Sequence, residues 1–371
     1  MKKVGLCMIV KNEAHIMRRC LTRARPLIDY ALIVDTGSTD NTIAVIHTLL
    51  AEFNLPGQVV EEPWRDFAHN RTCALARLRE QADIDYALMI DADDEVVLAD
   101  GFDPAAFRAS LTADYYDVVT DMSGYVYTRP QLTSNRKLFY YKAVLHEYLE
   151  SEPGCSRARM EHYSVRAVQD SARNRLGDKY RRDAETLEKA LEIETDPFLR
   201  ARYTFYLAQS WRDCGELEKA LTHYLRRAEM GYWEEEVFYS LYFAGRLMET
   251  LGRDIEATIA IHFRAANASP TRAEALHAAA RLCRSIGDHA RGYDIARRAI
   301  DLPMPPNGLF LEPWIYDFAA LDEFAVHAYW TGHYRESLAA ILRAFKSGKV
   351  PASEHARFAQ NAIFALDKLP G

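Results

Sequence analysis

Four glycines in the second half of the chain, Gly215, Gly252, Gly287 and Gly332, fall 37, 35 and 45 residues apart, each between two stretches of helical pattern. Seven residues before each lies a small residue (Ala208, Gly245, Ala280, Ala325), and five after each lies another (Ala220, Ala257, Gly292, Ser337). A turn glycine flanked by small residues twelve apart is what two antiparallel helices need if they are to pack closely. One such pair cannot bury its apolar face alone, but in-phase copies stack into a continuous core. No strand pattern is visible from about Leu187 onward, so residues 187–371 read as an all-α array. The longer last spacing holds the insertion Pro303-Met304-Pro305-Pro306-Asn307-Gly308.

This pattern resembles the tetratricopeptide repeat, whose period is about 34 residues. Such arrays present a concave surface. The resemblance implies docking of a peptide or protein acceptor, a homodimer formed through the repeats, or a purely architectural role.

The first 165 residues follow a different period. Short β-rich runs at 5–10, 31–35, 58–61 and 86–91 alternate with helical stretches at 42–53 and 68–81, the pattern of a doubly wound, mostly parallel α/β sheet. The segment 115–149, rich in tyrosine and β-branched residues, reads as further strands with an irregular loop. Ligands of open α/β sheets bind beyond the carboxyl ends of strands. Here those ends carry polar and acidic residues.

Four motifs lie at that edge: Val10-Lys11-Asn12-Glu13, the run Asp35-Thr36-Gly37-Ser38-Thr39-Asp40, Phe67-Ala68-His69-Asn70-Arg71, and Asp91-Ala92-Asp93 followed by Asp94 and Glu95. Four acidic side chains in five positions repel one another unless solvent or a cation relieves them. Mg²⁺ and Mn²⁺ prefer oxygen ligands and can bridge phosphate oxygens. Asp35, at a strand tip before a glycine turn, is placed to accept a hydrogen bond from a base or ribose.

In order and spacing these motifs resemble those of glycosyltransferase family 2, over roughly residues 4–165. With the repeats added, the chain is similar to the branch that includes the sublancin-type peptide S-glycosyltransferases. The resemblance implies a GT-A (Rossmann-like) fold and an inverting transfer of a hexose from a nucleotide-sugar donor, UDP-linked, to a peptide, protein or glycan acceptor. It implies Mn²⁺ or Mg²⁺ as cofactor, with Asp93 as metal ligand and catalytic residue. Val10, Asn12, Glu13, Asp35, Asn70, Arg71, Asp91 and Ala92 would form the donor site, Asp35 facing a uracil-type base. His146 and His162 are rival third metal ligands, His162 ranked ahead.

An inverting transfer needs a carboxylate to deprotonate the acceptor on the face opposite the leaving group. Glu147, in Val144-Leu145-His146-Glu147, occupies a place similar to a His-Glu of this branch, although the more general Glu-Asp signature is absent. Glu147 would be the base or, on the plainer reading, the partner of a nearby arginine. Residues 157–182 hold eight Arg or Lys residues. The stretch 166–186 reads as a solvated linker helix or as a lid whose Lys179 and Arg182, with Arg173 behind them, neutralise the leaving diphosphate.

Composition narrows the alternatives. A net charge of −7 argues against a nucleic-acid binder. No stretch approaches the ~20 apolar residues of a membrane span. Six scattered cysteines without a Cys-x-x-Cys pair suit reduced thiols, hence a cytoplasmic location. A nucleotidyltransferase would carry a glycine-rich loop where Lys11-Asn12-Glu13 stands. A repeat scaffold with an inactive sugar-binding domain would not need intact Asp91, Asp93 and Glu147.

Overall fold

The computed structural model describes residues 1–123, 125–175, 177–306 and 308–370. Leu176 of the basic stretch and Asn307 of the proline-rich insertion lie outside them. The chain divides into two compact units, Met1–Thr186 and Leu187–Gly371.

The first unit begins β1 (Val4–Val10), α1 (Met17–Ala24), β2 (Tyr30–Asp35), α2 (Thr42–Glu52), β3 (Gly57–Glu61), α3 (Phe67–Arg79) and β4 (Tyr86–Met89). It continues with β5 (Asp94–Leu98), α4 (Pro104–Ser110), β6 (Tyr115–Met122), β7 (Tyr125–Ser134), β8 (Phe139–Lys142), β9 (Tyr148–Ser151), β10 (Arg157–Arg159) and β11 (Tyr163–Ala167). The main sheet has the order β3-β2-β1-β4-β7-β6-β11-β5, with β10 beside β6; β8 and β9 form a separate ribbon.

The four strands at one side, β3 to β4, pair in parallel. Beyond β4 the sheet becomes mixed. Only two residues separate β6 from β7, and so short a connection permits only an antiparallel pair. β7 also lies antiparallel to β4, and β11 to β5. The sheet also runs past residue 165, through Ala167.

β1 is covered on both faces, which explains its unbroken apolar run. Leu6 and Met8 join a core with Met17 and Leu21 of α1 and Ile46 of α2. Cys7 points to the opposite face, where it meets Leu32, Val34, Met89 and the α3 residues Ala74, Leu75 and Leu78. α3 is thereby clamped against the sheet with its first turns at the carboxyl edge.

α5 (Lys179–Ile193) runs across the division between the units. The second unit is built from α6 (Pro197–Asp213), α7 (Leu217–Ala228), α8 (Glu234–Thr250), α9 (Ile255–Ala268), α10 (Glu274–Ser285), α11 (His289–Ala299), α12 (Ala320–Trp330), α13 (Tyr334–Lys346) and α14 (His355–Leu366). The four spaced glycines all have positive φ and end α6, α8, α10 and α12, so each opens a helical hairpin.

In three of the four twelve-residue pairs a small residue has a visible packing role, of two kinds. In the last, Ser337 Oγ donates to the Ala325 carbonyl at 2.7 Å. In two others, the small residue makes room for a buried histidine. His262 lies over Gly245, and His327 lies over Gly292 with its Nε2 3.0 Å from the Ala280 carbonyl. A Cβ on Gly292 would overlap the His327 ring. Alanine ordinarily stabilises a helix interior relative to glycine by roughly 0.5–1 kcal/mol. Gly292→Ala should instead destabilise the repeats by about 1–3 kcal/mol, the usual cost of overpacking. Thermal unfolding that rises in this variant would refute the packing.

Candidate functional site: the carboxyl edge of the sheet

Register brings Val10 and Asp35 side by side at the tips of β1 and β2. Asp35 is only 1% exposed. Its Oδ1 accepts from the N–H groups of Gly37 (2.9 Å) and Ser38 (2.7 Å), while Oδ2 is buried with no hydrogen-bond partner among the described residues. A buried carboxylate oxygen left unpaired is costly, and a ligand donor would relieve that cost. The Val10 carbonyl is taken by Thr36, through its N–H at 2.9 Å and its hydroxyl at 3.0 Å. Asn12, at φ 60°, shapes the same loop. Its Oδ1 accepts from the Thr39 N–H at 2.7 Å, and its own N–H donates to Ser38 Oγ at 2.9 Å.

Two residues past β4, Asp91 enters a cluster of carboxylates and guanidiniums. Arg71, buried on α3, donates through Nη2 to Asp91 Oδ1 at 2.5 Å and through Nε to Glu147 Oε1 at 2.7 Å. Arg129, on β7, reaches Asp91 Oδ2 at 3.4 Å and Asp94 Oδ2 at 2.5 Å. Burial pushes the Asp91 carboxyl up, but Arg71 and Arg129 outweigh it and hold it down at about 2. Burial wins at Asp94, which is pushed up to about 6 despite Arg129. Ala92 is buried between the two acidic positions Asp91 and Asp93.

Residues 168–174 are fastened over the edge by acidic groups. Asp93 Oδ2 accepts from the Ser171 N–H (3.3 Å) and from Asn174 Nδ2 (3.2 Å). Glu13 accepts from the Ala172 N–H at 3.2 Å. Arg19 forks onto Asp170 at 2.7 and 2.6 Å. Burial raises Glu13 to about 7; the Ala172 N–H opposes that rise, and Asp93 and Asp170 add to it. Arg173 lies over the Phe67 ring at 4.7 Å and pairs with Asp183.

Residues 6–144 match the family model for glycosyl transferase family 2. The N-terminal unit therefore carries a family 2 glycosyltransferase domain. A TPR repeat-containing protein of Synechococcus elongatus is 26% identical over 323 residues, spanning 81% of this chain and 75% of that protein. An uncharacterized glycosyltransferase of Rickettsia prowazekii is 31% identical over 96 residues, 26% of this chain and 30% of that protein. The solved structure of S. aureus TarS is similar at a TM-score of 0.36 and 14% identity, over 68% of this chain and 53% of that one.

Within the glycosyltransferase domain, several sequence expectations need correction. His162 does not reach Asp93. β11 pairs with β5 so that Ala167 faces Asp94 and Tyr163 faces Leu98, which puts His162 roughly 16 Å along the strand from Asp94. Its ring packs on Phe107 instead. Asn70 is fully buried and spends both ends of its amide on the preceding loop, accepting from the Arg65 N–H and donating to the Pro63 carbonyl. Arg182 pairs with Asp178 at the surface, whereas Lys179 donates to Asn174 Oδ1 at 2.7 Å. Sequence reading missed Arg129. It stands as one cation in a strand-like run, and only the β4–β7 pairing brings it to Asp91.

Proposed function

We propose that this chain is an inverting glycosyltransferase that moves a hexose from a UDP-linked donor to a peptide, protein or glycan acceptor. The observation that carries the reading is the unpartnered Asp35 oxygen at the strand-tip edge of a family 2 domain, the edge that also carries Asp91 and Asp93. A uracil ring offers the N–H donor that Asp35 lacks. Asn12 and Thr36 hold the loop that positions it. Arg71 and Arg129 fix Asp91, and the 168–174 segment brings Arg173 to the same edge.

The donor chemistry fits a hard divalent cation. Asp93 offers a half-exposed carboxylate, and Mg²⁺ or Mn²⁺ commonly sits on one or two carboxylates with substrate phosphates completing the shell. When bound, the ion would supply electrostatic stabilisation of the departing diphosphate. The acceptor attacks the anomeric carbon opposite that leaving group, and Glu147 takes the acceptor's proton. The repeats would dock the acceptor or a second copy of the chain. Six free cysteines accord with a cytoplasmic setting, and among the described residues no helix is long and apolar enough to cross a membrane.

Calorimetry with UDP tests the donor half of this reading. Mn²⁺ should tighten UDP binding, and Asp93→Ala should remove that gain while the free protein keeps its fold. Equal UDP affinity in the variant with Mn²⁺ present would end the proposal.

A further inference from the structure

α3 presents two faces. Arg71 faces the donor edge, and two residues to either side of it His69 and Cys73, one helical turn apart, share another face. Glu62, the residue after edge strand β3, meets them. Ligand atoms of Glu62, His69 and Cys73 lie within 4.8 Å of one another, and all three residues are half-buried. Among the described residues no other trio of His, Cys and carboxylate side chains meets that distance.

The geometry points to a Zn²⁺ site at Glu62, His69 and Cys73, separate from the hard-cation site at Asp93. Thiolate and imidazole select a soft or borderline ion rather than Mg²⁺ or Mn²⁺. Zn–S near 2.3 Å and Zn–N near 2.0–2.1 Å make a tetrahedral S···N edge of roughly 3.5 Å. Cys73 Sγ and His69 Nε2 are 3.5 Å apart. Modest closure of Glu62 supplies the third ligand, and water takes the fourth position. Binding releases the Cys73 thiol proton to solvent, since the thiolate is the ligand.

The surroundings hold the three ligands in place. Arg77, a turn beyond Cys73, donates to Glu62 Oε2 at 2.7 Å and leaves Oε1 for the metal. The Glu62 N–H donates to the Asp35 carbonyl at 2.9 Å, so this ligand is tied to the tip of β2. Asp66 caps α3 by accepting from the His69 N–H at 2.7 Å. An ion here would staple the first turns of α3, which carry Arg71, to the end of β3, where the Glu62 N–H bonds the tip of β2.

Co²⁺ titration of the metal-free full chain tests the assignment, because cobalt reports a thiolate ligand by a charge-transfer absorption. One equivalent should bind with that absorption, and Zn²⁺ should displace it. Cys73→Ser, nearly isosteric, should abolish the absorption. His69→Gln, a second variant in case the first misfolds, should weaken Zn²⁺ binding in chelator competition by more than the roughly 10–100-fold typical of a lost supporting contact. Wild type without the absorption, or an absorption that survives in Cys73→Ser, overturns the site. So does an absorption removed by Asp93→Ala, which would place the ion at the strand tips.

Discussion

Glu147→Gln should lower glycosyl transfer by roughly 10²–10⁴-fold, the usual worth of a positioned general base, while UDP-sugar binding stays near wild type. The substitution suits the geometry. Arg71 Nε donates to Glu147 Oε1 at 2.7 Å, and a glutamine carbonyl can accept the same bond. The Arg71 anchor and the shape of the site are therefore kept, and only the capacity to take a proton is lost. Like Glu147, the nearby Asp94 and Glu95 are ion-paired, Asp94 with Arg129 and Glu95 with Arg19 and Arg166. Transfer is followed as nucleoside diphosphate release with acceptor present, and donor binding by calorimetry. The anomeric configuration of the wild-type product, read by NMR, should be inverted. Near-normal turnover in the variant would reduce Glu147 to a partner of Arg71. A thiol acceptor would soften the loss, since it ionises more readily than a hydroxyl.

What the sequence made legible follows from local rules. β1, β2 and β4 could be drawn because buried parallel strands are short apolar runs, and the repeat hairpins because glycines with positive φ and small partners recur in phase. Asp35 and Asp91 could be picked out because strand ends and acidic clusters are visible in one dimension. What escaped depends on pairing at a distance. Nothing in Thr128-Arg129-Pro130 says that β7 lies against β4, so the second guanidinium on Asp91 was invisible. His162 was misassigned for the same reason, because its distance from Asp93 is set by the β11–β5 register. Asn70 was a failure of another kind. Its motif is local, but its amide is consumed by the Pro63–Arg65 loop, which spacing alone does not reveal.

Arg71→Met should destabilise the N-terminal unit by about 3–5 kcal/mol near neutral pH, the range for removing one partner of a buried ion pair. Methionine fills much of the same volume, so lost packing is a small part of the effect. The larger part is that Asp91 and Glu147 lose the guanidinium that both share. The sign with pH follows from Asp91. Held at about 2 in the native state, below its ordinary 3.8, it contributes stability that is present above about pH 4 and lost as pH falls through 2. Without Arg71, burial acts on Asp91 with only the 3.4 Å contact to Arg129 to oppose it, so its ionised form becomes a cost that protonation relieves. The deficit of the variant should therefore be largest at pH 7–8 and shrink towards pH 4. Denaturant unfolding at both pH values, with hydrogen exchange read in α3 and β4, measures it. Adding Glu147→Gln to Arg71→Met should recover part of the loss, since one unpaired charge is gone. A deficit below ~1 kcal/mol, or one that does not change with pH, would mean that Arg129 alone holds Asp91 in place.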